Sequence, residues 1–187
     1  MSTNQGMTYV ELIVVLGIFV VMSSVAIFNY GSFQSKVDMR NLANDVALKI
    51  VEAQKAALSG KLPSVAYDAD WNPSYGVYFD RLSSSTNFTY FTDVNSDATL
   101  NAPYEALEVI NITKGNRISK IDAYYAAGTN VDLHNVTLTF VRPNSEANIT
   151  STDPLVLPIA YIQITVLSPK GNTSIIKIYP SGRIEIG

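Results

Sequence analysis

The chain of 187 residues is 47% apolar and only 16% charged, with a formal net charge of −3, so it holds core material for one ordinary domain with an appendage and lacks the basic surface that a broad grip on nucleic acid requires. It contains no cysteine and a single histidine, His134, which excludes disulfides, thiolate metal sites, cysteine nucleophiles and multi-histidine metal centres. The 11 tyrosines, with abundant Asn, Ser and Thr, suit exposed β-structure.

The first element is apolar. Leu12 to Ser35 carries no charge, and residues 12 to 28 read "LIVVLGIFVVMSSVAIF". As a helix at ~1.5 Å per residue the uncharged stretch covers roughly 35 Å, enough for the ~30 Å hydrocarbon core of a bilayer. Gly17, Ser23 and Ser24 are small residues of the kind that let membrane helices approach closely. Three readings fit this stretch. It could be a plain single-pass anchor, or a secretory signal cleaved near "SVA" at Ser24 to Ala26, although "MSTNQGMTYVE" has no basic n-region. The third reading accounts for more residues. "GMTYVELIVVLG", with Gly6 before Met7 and Glu11 fifth counting from Met7, resembles the class III leader of type IV pilins and type II secretion pseudopilins.

That resemblance implies removal of residues 1–6 as a leader by a prepilin peptidase, cleavage between Gly6 and Met7, N-methylation of Met7, and a role in assembly for Glu11. It further implies insertion as a single-pass protein of the inner (cytoplasmic) membrane with the globular domain outside the cytoplasm, followed by passage into an extracytoplasmic filament. The implied partners are other pilin or pseudopilin subunits, the prepilin peptidase, the inner-membrane assembly platform and membrane lipid. The leader lacks the usual Lys or Arg, and the first mature residue is Met rather than the commoner Phe. An ionised acid costs on the order of 2.5–3.5 kcal/mol at the centre of a membrane helix. Near the helix end Glu11 reaches the headgroups, and inside a bundle of helices it would need a cation. The α-amino group of Met7 in a neighbouring subunit is the candidate.

The helical pattern continues past the apolar run. Met39, Leu42, Ala43, Val46, Ile50, Ala53 and Ala57 form one stripe, with Asp38, Asn41, Asp45, Lys49, Glu52 and Lys55 largely off it. Gly60 and Pro63 supply the stop. One helix of about residues 8 to 59 follows, with 7–34 as its membrane and assembly part and 35–60 as its amphipathic part. Gly31 is expected to loosen or kink it.

Residues 61–187 form a β-rich domain. The runs "YGVYFD", "TNFTYFTD", "EALEVINI", "RISKIDAYY", "VTLTFVR", "AYIQITVLS", "SIIKIYP" and "GRIEI" are separated by turn signals, of which "SPKGN" and "YPSGRI" predict hairpins. The fold class is therefore α+β, a long N-terminal helix packed on a mostly antiparallel sheet. "SYGVYFD", "VTLTFVRPNSEANI" and the closing "YPSGRIEIG" resemble the protein H-like minor pseudopilins of type II secretion, which share a domain with FimT-type minor pilins.

Nothing in the pattern points to an enzyme. His134 stands at the start of a strand without a nucleophile in reach of argument, and no phosphate-cradling glycine loop is present. Glu105 and Glu108 would face opposite sides of a strand. "DVNSDATLNAPYE" spaces Asp93, Asn95, Asp97, Thr99, Asn101 and Glu105 like a calcium loop, with calcium as the one cofactor in view. Ala98 stands where an EF-hand needs glycine, and Glu105 arrives one residue late. Turn-forming Asp and Asn give the same composition without metal. Sequons at Asn87, Asn111, Asn135, Asn148 and Asn172 permit glycosylation outside the cytoplasm. The expected function is a structural filament subunit, in a secretion pseudopilus or a type IV pilus. The alternatives are a FimT-like pilin binding DNA, for which Lys170, Lys177 and Arg183 are a thin cationic set beside Glu185, and a membrane-anchored surface adhesin.

Overall fold

A computed structural model describes residues 6–63, 71–156 and 158–187, apart from the side chains of residues 28, 29 and 32. One helix, α1, runs unbroken over Tyr9–Leu58, 50 residues, or ~75 Å at ~1.5 Å per residue. Thr8 caps its start in extended backbone, its side chain accepting from the Glu11 N–H at 3.3 Å. Its end is a Schellman turn: Gly60 takes φ +65°, its N–H donates to Ala57, and the Lys61 N–H donates to Ala56. The glycine expected to stop the helix does so through its left-handed backbone.

Gly31 lies within the helix and does not interrupt it. Its carbonyl accepts from Lys170 Nζ at 2.9 Å, and a Cβ here would stand 2.9 Å from that nitrogen. The glycine makes room for the lysine.

Ten strands follow: β1 Ser74–Asp80, β2 Asn87–Thr92, β3 Ala106–Asn111, β4 Arg117–Tyr125, β5 Asn130–Asp132, β6 Asn135–Val141, β7 Ala147–Thr150, β8 Ile159–Leu167, β9 Thr173–Ile178 and β10 Ile184–Ile186. They form two five-stranded antiparallel sheets, β3-β2-β1-β6-β7 and β10-β9-β8-β4-β5. The antiparallel β-structure expected from the sequence is thus divided between two sheets. Both hairpins expected from turn residues are present: the Ser168 N–H donates to Asn172 O between β8 and β9, and the Tyr179 N–H to Arg183 O between β9 and β10.

Alternation sets the faces. Ile162, Ile164 and Val166 are fully buried while Gln163 and Thr165 are half-buried, as a sheet with one core face requires. The helical stripe of Met39, Ala43, Val46, Ile50, Ala53 and Ala57 is buried, with Leu42 packed at its margin. That half of α1 meets β1 and β6 of one sheet and β9 and β10 of the other, and all share one apolar core. The first half of the helix contributes nothing to that core.

Candidate functional site: an exposed apolar helix and an acidic loop

Tyr9–Ile27 is long and apolar enough to cross a membrane and is wholly unburied. Leaving so many large side chains in water would be unfavourable by ~1.5–3 kcal/mol for each one that could be buried, so this half of α1 is built for an apolar surrounding. It is a candidate single membrane span. Ser24, inside it, donates from Oγ to the Val20 carbonyl at 2.8 Å, which removes the cost of an unpaired hydroxyl in lipid. Tyr9 and Tyr30 are 78% and 67% exposed, and the ~32 Å of helix between them matches the ~30 Å core. Such rings favour the two interfaces. This bracket is a signal that the hydrophobic run alone had obscured.

Gly6 and Met7 precede the helix and are exposed, and residues 1–5 of the expected leader lie outside the described residues. Glu11 occupies the first turn. An acid there is favoured by the partial positive charge of the free helical N–H groups, and Thr8-Tyr9-Val10-Glu11 has the spacing of a capping box. That four-residue pattern was legible and marks where the helix begins. Gly6, Met7 and Glu11 thus sit together at one end of an apolar rod.

The acidic loop is drawn together in a different way from that expected. Asp93 and Glu105 are both 1% exposed. Asp93 accepts from the Asp97 N–H at 3.1 Å on Oδ1, and from the Ala98 N–H at 3.1 Å and Ser74 Oγ at 3.3 Å on Oδ2. Glu105 accepts from the Val94 N–H at 3.0 Å and the Asn101 N–H at 2.8 Å. Asp97 takes the Thr99 N–H and hydroxyl on one oxygen and the amide groups of Asn95 and Asn101 on the other. Burial pushes the Asp93 carboxyl up, helped by the charges of Glu105 and Asp97 and opposed by the Ala98 N–H. For Asp97 burial works upward too, but the bonds from Thr99, Asn101 and Asn95 prevail and hold it below its ordinary value.

This donor set does not fit calcium. Among the described residues no three His, Cys, Asp or Glu side chains converge in a way that could hold a metal ion, and the carboxylate oxygens are turned onto amides. As it stands, the loop of Asp93, Asn95, Asp97, Thr99, Asn101 and Glu105 is a hydrogen-bonded turn, in which Glu105 accepts from two points of the loop backbone.

Other candidates resolve separately. His134 pairs through Nδ1 with Asp153 at 2.8 Å. Glu105 faces the loop while Glu108, on β3, pairs with Lys49 at 2.9 Å. Lys177 lies over the Tyr161 ring, and Arg183 lies over Tyr179 and pairs with Glu185 at 2.7 Å. These two cations are occupied, and no specific observation favours DNA. Of the sequons, Asn135 is 8% exposed with both ends of its side chain bonded, and the Asn172 amide donates to Ser35. Asn111 and Asn148 are exposed and Asn87 half-buried.

Compared with known proteins, the chain matches no family model, no curated protein and no solved structure.

Proposed function

We propose that the chain is a filament subunit of the type IV pilin and pseudopilin kind, nearest in character to the protein H-like minor pseudopilins, acting in a type II secretion pseudopilus or a type IV pilus. One observation carries the reading: a single unbroken helix is exposed and apolar over its first half and forms part of the domain core over its second. A hinged anchor would tether a domain loosely. A rigid helix transmits any packing of its apolar half to the whole domain, which a helical filament needs and a simple anchor does not.

In this reading the prepilin peptidase cuts between Gly6 and Met7, and Met7 is methylated. Before assembly the domain lies outside the cytoplasm, attached to the inner membrane. The assembly platform and the other subunits then draw the helix from lipid into a bundle. There Glu11 loses its water and pairs with the amino group of Met7 in a neighbour. No catalytic role belongs to the proposal. Orientation follows from the leader motif rather than from charge, since the N-terminal flank has no Lys or Arg.

The test is Glu11→Gln in the cell with its assembly machinery. Insertion and cleavage should persist while incorporation into sheared filaments falls severely, because the amide keeps the shape and loses the charge. Wild-type incorporation of the Gln variant would return Glu11 to the role of a helix cap.

A further inference from the structure

The domain half of α1 has two apolar faces. One is the buried stripe from Met39 to Ala57. Leu48 stands two residues from both Val46 and Ile50, which at ~3.6 residues per turn puts it about half a turn away from them, and it is 65% exposed. Val37, Leu48, Val51 and Leu58 share that outer side, with Asn41, Asn44 and Lys55 at the positions between. The spacing alternates threes and fours, as in the seam of a two-stranded coiled coil. Beside Leu48, Val51 and Lys55 the seam opens into a hollow of about 450 Å³. The same spacing runs back through the span to Ile27, Val20 and Leu16, with Gly17 and Ser24 beside it, small residues that let helices close up. A helix packed only on its own domain needs one apolar face.

The charges beside the seam select what covers it. Asp38, Asp45 and Glu52 recur every seven residues along one flank, and Arg40 lies on the other, followed by the uncharged Ala47 and Gln54. Lys114 takes Asp38 at 2.7 Å and Lys49 takes Glu52 at 2.8 Å. Asp45 and Arg40 form no ion pair among the described residues, although Arg40 shares a cleft with Gly187. In an antiparallel pair of copies each flank would meet itself, setting one acidic row against another. In a parallel pair each flank meets the other, and Arg40 of either copy falls beside Asp45 of the second. Two chains that cross one membrane in the same orientation meet in parallel, so charge and topology select the same arrangement. The domain lies on the buried side of its helix, which leaves the seam free.

We propose that this outer face of α1 is the contact for a second copy of the chain, giving a parallel, level pair of helices in the membrane about a two-fold axis along them. Leu48, Val51 and Leu58 meet their counterparts. Asn41 and Asn44 fix the register, since their amides bond across the axis only when the helices are level. Three polar residues among the seven from Val37 to Leu58 make the outer seam weak alone. The span brings the two chains together, and a domain without it stays monomeric. The inference rests on Tyr9–Ile27 crossing a membrane and not on filament assembly.

The test uses the full chain in phosphatidylcholine vesicles without any assembly protein. The chain has no cysteine, so single cysteines report contacts by oxidative cross-linking. Leu48→Cys and Leu58→Cys should each link to their own counterpart, which only a parallel, level pair permits. Each should exceed Tyr104→Cys, an exposed position on the domain, by on the order of tenfold, because a held pair raises the effective concentration above chance collision. Asp45→Arg in the Leu48→Cys chain should lower the yield several-fold, and adding Arg40→Asp should restore it. All these positions are exposed, so melting should not change. Linkage at Leu48→Cys no greater than at Tyr104→Cys overturns the proposal and leaves the face to lipid or to a different subunit. Linkage at Leu48→Cys without Leu58→Cys overturns it by marking an antiparallel crossing, and so does a yield that Asp45→Arg leaves unchanged. A chain that does not insert overturns it by removing the span on which the pair rests. None of these readouts involves filament incorporation, so failure of the filament reading is separate.

Discussion

Ala98 holds φ +60° and Ser96 φ +61°, a left-handed backbone that costs an L-residue roughly 1–2 kcal/mol. Both lie in the loop closed by Asp93, Asp97 and Glu105, so loop bonding offsets the strain. Ala98→Gly should therefore raise stability by about 0.5–1 kcal/mol in urea unfolding, the relief exceeding the added chain entropy. The same loop predicts identical melting in calcium and in chelator. A rise in calcium that Asp97→Ala abolishes would restore the metal reading. Its acid dependence has a definite sign. Asp97 is held below its ordinary value, as is Asp80, where burial is outweighed by bonds from Ser83, Tyr78 and Leu82. Their contribution is present above the unfolded value of about 3.9 and is lost as pH falls through their lower folded values. Asp93 acts oppositely: its raised folded value means that acidification toward pH ~3.9 relieves it. Urea unfolding at pH 3 and pH 5 should show a net loss at the lower pH, and Asp97→Asn should shrink that difference.

At the scale of elements, runs rich in β-branched, aromatic and other apolar residues were legible as strands, and short polar ones were not. The eight alternating runs correspond to β1 to β4, β6 and β8 to β10. β5, Asn130–Asp132, and β7, Ala147–Thr150, are three and four residues long with a single large apolar side chain each, so neither leaves an alternation to read. The split into two sheets was illegible for another reason. Turn chemistry announces neighbours in sequence, whereas β1–β6 and β4–β8 pair across long stretches of chain. Gly76 belongs to the same class. It looks like a weak point in "SYGVYFD", yet a Cβ there would lie 2.6 Å from the Leu138 carbonyl oxygen and from the Phe91 ring. Gly76→Ala should cost about 2–3 kcal/mol, since backbone on the facing strand cannot give way. Ile50→Ala, at a fully buried position where α1 joins the core, should cost about 2–5 kcal/mol. Guanidinium unfolding of each variant checks both. A neutral Gly76→Ala would mean that β1 and β6 do not approach as described.

For the molecule as a whole, the helix was the most legible part because its two halves differ in composition while sharing one register. The stripe from Met39 to Ala57 could be read from spacing alone. What the acidic residues bind could not, because spacing shows which oxygens gather and not which amides reach them first. The division of labour along α1 makes a prediction of its own. A chain beginning at Ser35 keeps every buried residue of the core and loses the Lys170 contact to Gly31. It should fold as a soluble monomer, shown by cooperative melting and sedimentation, while losing membrane association altogether. Persistent membrane binding by that fragment would mean that the domain itself holds lipid without the span.

The claim on which the rest depends is that Gly6–Met7 is a processing site and Tyr9–Leu58 the retained assembly helix. The intact mass of the chain co-expressed with a prepilin peptidase tests it most directly. The account predicts loss of Met1 to Gly6 and gain of one methyl group, with Met7 as the new first residue. Cleavage near Ala26 would contradict it, because the exposed apolar half of the helix would then be discarded as a signal and no subunit could assemble through it.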